Sequence, residues 1–531
     1  MGEIRVIPPR LTKAEWNALL DHSLEKNASY IIRSGSTSSL YEAINGSTGL
    51  ITYSGANWDY VIGMALSGSR GSSQSSIFIK AGDYPPITFY DPYNCEIIGE
   101  GNEKTIIKAT TNTPCIAFYR TATTPSGRSN LRIANLRLSG SGYANTSAHG
   151  IYLSGSWHFI VDNVTISGVR DGLHFVEGQW FEARDVLIDG DIGSVYNGVV
   201  GEVQGSNPGC LGYLDRVWVV RPLNDGFNFA LLNALMMNDC QVLEPVRYGF
   251  FAGPQNGGGS NVLVNCQFDM ARDTAVFLSG ANDTHLVGCF VQGHSYDGDL
   301  TLGKSLYIKD CTGVTVNGGA VWGGKDLITV ENCSRVVIGG ITLLANRGSP
   351  TSAYQYSGMV ISGSNFVSIN NAEIESLVAT TNTQSYGIRE LGTNQQIQVC
   401  NTYIDTDFFG QTSGSIASYL NCNFDSRMKQ NLYMRGMSLG QIFANNLKLR
   451  WEDSSNVERN VLYMGSDNKI WVGDTSRDII LNAPSNNVNF TGSTIKDPSY
   501  VSATSATSIK QVLVVNITGS TYYIPCYSAY A

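Results

Sequence analysis

The sequence predicts an all-β chain wound into a single-stranded right-handed parallel β-helix, with a short helical segment ahead of it and a β-rich region behind it. Three observations carry that expectation. Glycine outnumbers proline 57 to 15, the punctuation of many short strands joined by turns rather than of long helices. Only 15% of the chain is charged while 42% is hydrophobic, so a large core sits under a surface of Ser, Thr, Asn and Gly. One pattern recurs every 22 to 30 residues between about residues 94 and 424.

Two short strands are legible in each repeat. The first appears as Asn135-Leu136-Arg137-Leu138, Asn163-Val164-Thr165-Ile166, Asp185-Val186-Leu187-Ile188, Asp239-Cys240-Gln241-Val242, Asn265-Cys266-Gln267-Phe268 and Asn371-Ala372-Glu373-Ile374. The second appears as His149-Gly150-Ile151-Tyr152-Leu153, Asp171-Gly172-Leu173-His174-Phe175, Asn197-Gly198-Val199, Asp225-Gly226-Phe227-Asn228-Phe229 and Tyr248-Gly249-Phe250. Asn, Asp and Gly tolerate the left-handed backbone of tight turns, and the alternating apolar residues point inward with period two. A single coil cannot bury its own apolar face. Stacking coils about 4.8 Å apart puts like residues over like and lets an Asn column hydrogen-bond along the axis. The leucine spacing of a leucine-rich solenoid is absent, and the period is too short for a propeller.

Eleven cysteines raise the question of disulfides. Cys240, Cys266 and Cys289 stand 26 and 23 residues apart, and Cys311–Cys333 and Cys400–Cys422 are each separated by 22. Those intervals are one repeat, so the thiols are expected to stack as small buried apolar groups. Neither a CxxC pair nor a histidine-rich tract is present, and no metal or cofactor is expected.

The segment Ser76-Ile77-Phe78-Ile79-Lys80-Ala81-Gly82-Asp83-Tyr84, followed by Cys95-Glu96-Ile97-Ile98-Gly99-Glu100-Gly101 and Thr105-Ile106-Ile107, resembles the entry to pectate-lyase-like β-helices. The resemblance extends over about residues 75 to 424. It implies the fold and leaves the chemistry open, because such folds carry lyases, hydrolases, epimerases and proteins that only bind.

The chain is divided into an N-terminal docking or capping segment (1–30), an entry region (31–93), the β-helix (94–424) and a C-terminal region (425–531). In the first, Thr12-Lys13-Ala14-Glu15 ahead of Trp16, Leu19 and Leu20 forms a capping box for one amphipathic helix. In the last, Leu447-Lys448-Leu449-Arg450-Trp451-Glu452-Asp453, Asn460-Val461-Leu462-Tyr463-Met464 and Gly519-Ser520-Thr521-Tyr522-Tyr523-Ile524-Pro525 resemble the distal segments of phage tail fibres and tailspikes. That resemblance implies a homotrimer, attachment to a virion baseplate or tail through the N-terminal segment, and a host surface polysaccharide as partner.

A net charge of −9 without a Lys/Arg cluster excludes a nucleic-acid partner and suits neutral glycans. The sequence opens without an apolar export signal and has no run of about 18 apolar residues, so neither Sec export nor membrane insertion is expected. A virion protein released by lysis fits that expectation.

Outward positions on the coils are the candidate glycan contacts: Tyr152, His174, Asn228 and Phe251 on the second strand, Trp218, Gln241 and Gln267 on the first, and Arg221 at the turn. Hydrolysis of a glycosidic bond needs two carboxyl groups at a set separation, which neighbouring coils can supply. Glu244 and Asp269 form the preferred catalytic pair. Asp189 is a third candidate about three coils from Asp269, with Asp191 beside it. Asp171, Asp225 and Asp273 occupy a turn-forming phase and are read as structural. The readings weighed are a tailspike that cleaves a host polysaccharide, a virion fibre that only binds one, and a free-standing polysaccharide lyase or hydrolase; lyase chemistry would draw on Arg221, His174 or Tyr248. The segments near 201–210, 253–260, 293–303 and 346–356 are the expected sites of specificity.

Overall fold

The computed structural model describes residues 28–424 apart from short segments, together with five strands between residues 448 and 527. It divides into two units, residues 1–437 and 438–531. The first is a parallel β-helix, and each coil has three strands rather than the two legible in the sequence.

Three parallel ladders run along the helix. The first begins with Ser75–Ile79 and Cys95–Gly99 and continues through the leading halves of Leu131–Ser139, Trp157–Ser167, Gln179–Asp189 and Leu211–Val220. The second begins with Gly82–Tyr84 and Thr105–Lys108 and uses the trailing halves of the same four strands. Beyond residue 220 the two halves become separate strands, such as Ala234–Asn238 and Gln241–Leu243. The third ladder has thirteen strands, from Ile87–Tyr90 to Phe408–Ser413.

The corner between the first two ladders explains the difference from the two-strand reading. Asn135, Asn163, Asp185, Asp239, Asn265 and Asn371, expected to open a strand, are single left-handed residues with φ between 50° and 56° that turn the chain from one ladder into the next. Asn and Asp accept that conformation because their short side chains hydrogen-bond locally. The Asn163 amide donates to Asn135 Oδ1 at 2.8 Å, so the column also bonds along the axis.

Glycines of the third ladder have another purpose. Gly150, Gly172, Gly198, Gly226 and Gly249 do not adopt left-handed φ; a Cβ on Gly172 would lie 2.6 Å from Ile188 Cδ1, and one on Gly226 would lie 2.5 Å from Val242 Cγ1. They are small because the second ladder's inward side chains fill the space beside them.

The described cysteines are all free. Cys240, Cys266 and Cys289 are buried on successive coils at the entry to the second ladder. Cys311 and Cys333 are buried at a different corner, where the Cys311 amide donates to Cys333 Sγ at 3.4 Å and the Cys333 amide to Ser364 Oγ at 3.0 Å. Burial pushes the Cys95 and Cys115 thiols up to about 12.

A cap closes the N-terminal end of the coils. Tyr30–Ser34 pairs parallel with Ser75–Ile79 and antiparallel with Tyr41–Asn45, and the helix Trp58–Gly68 buries Trp58, Val61, Ile62 and Ala65. Asn57 caps the helix by accepting from the Tyr60 amide at 3.1 Å. Trp58 packs with Tyr41 and Tyr84 and donates to the Pro86 carbonyl at 3.0 Å. The helix expected near residues 12–20 lies outside the described residues.

In the second unit, Lys448–Glu452, Glu458–Met464 and Ile470–Val472 form an antiparallel meander, and Ile509–Ile517 pairs with Ser520–Tyr527 as a hairpin. Among the described residues no helix is long and apolar enough to cross a membrane.

Two substitutions test this packing. Gly172→Ala is expected to destabilise by about 1–3 kcal/mol through overpacking. Gly63→Ala, exposed in the capping helix with open space around its Cβ, is expected to stabilise by roughly 0.5–1 kcal/mol. Thermal unfolding followed by circular dichroism reads both.

Candidate functional site

Stacking in register gathers most of the expected contacts into two columns. On the outer face of the second ladder, Arg137, Thr165, Leu187, Trp218, Gln241, Gln267 and Phe290 follow one another coil by coil. Trp218 is 51% exposed, with the glutamines half-buried above it. On the third ladder Tyr152, His174, Val200, Asn228 and Phe251 are in register, and Phe277 and Tyr307 extend the column. Its rings touch: Phe251 lies 5.5 Å from Phe277, and Phe277 stacks on Tyr307 at 4.8 Å. Such aromatic steps beside amides suit the apolar faces and hydroxyls of sugar rings.

The expected carboxylates lie where these two faces meet. Asp189, Val220, Leu243 and Asp269 are successive members of one column, which puts Asp189 three coils from Asp269. At about 4.8 Å per coil those two are too far apart to share one bond. Asp189 instead caps its own turn, accepting from the Asp191 amide at 2.8 Å.

Glu244 follows Leu243 directly, so it sits diagonally across one coil from Asp269, and its amide donates to the Asp269 carbonyl at 2.9 Å. The Asp269 side chain is half-buried; Oδ1 accepts no well-formed hydrogen bond, and Oδ2 receives only a long one from Gln267 at 3.4 Å. Burial raises the Asp269 pKa above the ordinary carboxylate value; the Gln267 hydrogen bond opposes this, and the nearby Glu244 charge adds to it. Glu244 is bound differently. Arg221 donates to it through Nε at 3.0 Å and reaches Asp191 through Nη1 at 3.0 Å. The site thus holds one carboxyl biased toward its acid form and one fixed beside a guanidinium, the asymmetry that acid–base division of labour requires.

The backbone at this corner is strained. Arg221, Glu244 and Met270, on successive coils, have φ of 46°, 50° and 54°. None is a residue type that favours the left-handed region, whereas the first-to-second corner holds mostly Asn and Asp, with Arg216 the exception.

The lyase candidates are less well placed for proton abstraction. Burial raises the Tyr248 pKa, away from the phenolate a base requires. Arg221 is already paired with two carboxylates. His174 occupies the predicted column but is only 9% exposed, its Nδ1 2.7 Å from Asp171 Oδ2.

Sequence reasoning missed the cluster around that histidine. His149, Asp171 and His174 are all buried, and each offers one ligand atom, those atoms lying within 4.8 Å of one another. Asp171 and Asp225 are therefore buried polar anchors rather than surface turn formers: Asn197 donates to Asp171 Oδ1 at 2.6 Å, and Arg247 and Asn228 both hold Asp225. The two imidazole neighbours hold the Asp171 carboxyl well below the usual range despite its burial. The signal was present in the polar residue that precedes each third-ladder glycine; stacking in register places His149 against Asp171, with His174 three residues on. The segments expected to set specificity lie largely outside the described residues.

Strain and charge at the carboxylate corner predict opposite responses of stability and activity. Glu244→Gly is expected to stabilise the fold by roughly 1 kcal/mol, because relief of the left-handed strain exceeds the small value of an exposed ion pair. Asp269→Asn is expected to raise the melting temperature at neutral pH. With a raised folded-state pKa, the native state binds the extra proton, and stability falls as pH rises through that window. Melting curves of both variants across pH 3 to 8 check the two signs.

Comparison with solved structures places the fold. Tailspike protein 3 of bacteriophage CBA120 superposes with a TM-score of 0.53 at 12% identity, over 79% of this chain and 66% of that one. The chain therefore spans just under two thirds of that tailspike's length. The mannuronan C-5 epimerase A-module from Azotobacter vinelandii covers 70% of this chain and 96% of its own at 13% identity, with a TM-score of 0.36. No protein-family model and no curated protein matches the sequence. The chain is a parallel β-helix, a fold it shares with a phage tailspike.

Proposed function

We propose that the chain is a tailspike-type polysaccharide depolymerase, carried on a virion tail and acting on a glycan of the host surface. The observation that carries this reading is the pairing of Asp269 with Glu244 on adjacent coils, at the edge where two sugar-suited faces meet. The fold likeness to a phage tailspike supports it. Asp269, biased toward its protonated form, donates to the leaving glycosidic oxygen. Glu244 acts opposite it, either activating water with inversion or attacking the anomeric carbon with retention. Trp218, Gln241 and Gln267 on one side and Tyr152, Asn228 and Phe251 on the other hold the sugars flanking the bond. The C-terminal meander and hairpin serve a homotrimer, and the N-terminal segment joins the tail.

A second reading is a fibre that binds its glycan without cutting it, and one feature favours it: Arg221 already occupies Glu244. Depolymerisation of a panel of bacterial surface polysaccharides separates the two. The cleaving enzyme releases reducing ends without the 235 nm absorbance of an unsaturated uronate. Glu244→Gln and Asp269→Asn each lower the rate by about 10²-fold or more while binding persists. Activity declines as pH rises through the raised pKa of Asp269, since the acid form does the work. Absorbance at 235 nm would instead indicate a lyase, and binding with no cleavage across the panel would indicate the fibre.

A further inference from the structure

We propose that His149, Asp171 and His174 form a binding site for a zinc-class divalent metal ion on the third ladder, separate from the carboxylate corner. The donor set is two imidazole nitrogens and one carboxylate oxygen. His149 Nδ1 and His174 Nδ1 lie 2.9 and 2.7 Å from the same Asp171 Oδ2. All three residues are more than nine-tenths buried, with exposures of 7%, 3% and 9%.

The contact to His149 is short but poorly aligned for a hydrogen bond. Its Nδ1 is buried and has no hydrogen-bond partner, although it stands so close to Oδ2. A buried ring nitrogen without a partner is costly, and a bound cation would satisfy it. A bound ion would draw the two ring nitrogens and the carboxylate oxygen around itself, with small side-chain movements opening their present spacing.

The surroundings are those of a ligand shell. Asn197 donates to the other Asp171 oxygen at 2.6 Å and so orients the carboxylate. The far nitrogen of His174, Nε2, faces Glu202 at 3.6 Å. Metal-ligating histidines characteristically direct the remaining ring nitrogen to a carboxylate, which fixes the tautomer and raises basicity. Tyr152 packs on both rings, at 5.3 Å from His149 and 5.4 Å from His174, and restricts their rotation.

Charge and donor type select the ion. Neutral imidazoles with one carboxylate favour zinc-class metals over calcium or magnesium, which take oxygen ligands. Asp171 and Glu202 together balance a divalent charge. Three protein ligands leave a coordination position open, and the site shares a column with Asn228 and Phe251, so water or a sugar hydroxyl can complete it.

The test is independent of polysaccharide cleavage. The full chain, stripped with a chelator and dialysed, is titrated with zinc chloride by calorimetry and with cobalt chloride by visible absorption. One zinc per chain and the intense bands of low-coordinate cobalt are expected, with no comparable uptake of calcium. His149→Gln and His174→Gln should abolish both signals. Glu202→Gln, at a partly exposed carboxylate that cannot unfold the core, should weaken zinc about 10- to 100-fold. Absence of zinc binding, or zinc binding of unchanged affinity in the Glu202 and histidine variants, would overturn the proposal and leave a hydrogen-bonded triad.

Discussion

Everything in the first unit depends on the requirement that each coil repeat the register of the one beneath it. Strands in a parallel ladder exchange evenly spaced hydrogen bonds, so a slip of one residue would turn every inward side chain outward. The core columns of Ile, Val, Leu and Phe make such a slip prohibitive, and polar columns follow the same alignment. Asn163 bonds to Asn135, Asn197 to Asp171, and Cys311 to Cys333 for the same geometric reason. Residues more than twenty positions apart in sequence thus become neighbours at about 4.8 Å.

Register also explains why this architecture can assemble chemistry cheaply. A titratable group on one coil is automatically set against its counterpart on the next, and only the turn residue has to be adjusted. At the second-to-third corner Arg221, Glu244 and Met270 accept left-handed backbone that Asn or Gly would occupy without strain. At the first-to-second corner Asn and Asp predominate and take the same conformation with little strain, Arg216 excepted.

Much of this was legible in the sequence because period-two alternation reports which residues face outward. The columns from Arg137 to Phe290 and from Tyr152 to Phe251 follow from alternation alone, and the structure has them in that register. The first ladder was not legible. Its residues run directly into the second through a single Asn or Asp, so the corner looks like the start of a strand. The role of the third-ladder glycines was hidden as well, since sequence shows that glycine is present but not whether conformation or space demands it. Asp171 reads as a turn former, and His149 as no more than the polar residue opening a strand, because burial of a polar residue depends on the neighbouring coils. The separation of Asp189 from Asp269, by contrast, needed only a count of coils.

On the proposed function, the reacting glycan lies across the edge between the second and third ladders, beside Asp269 and Glu244. A crystal structure of the Asp269→Asn variant soaked with an oligosaccharide from its own substrate tests that placement most directly. A glycosidic oxygen is expected within hydrogen-bond reach of residue 269, with flanking rings over Trp218 or Phe251. A sugar bound along the outer face of the first ladder, away from both carboxylates, would contradict it.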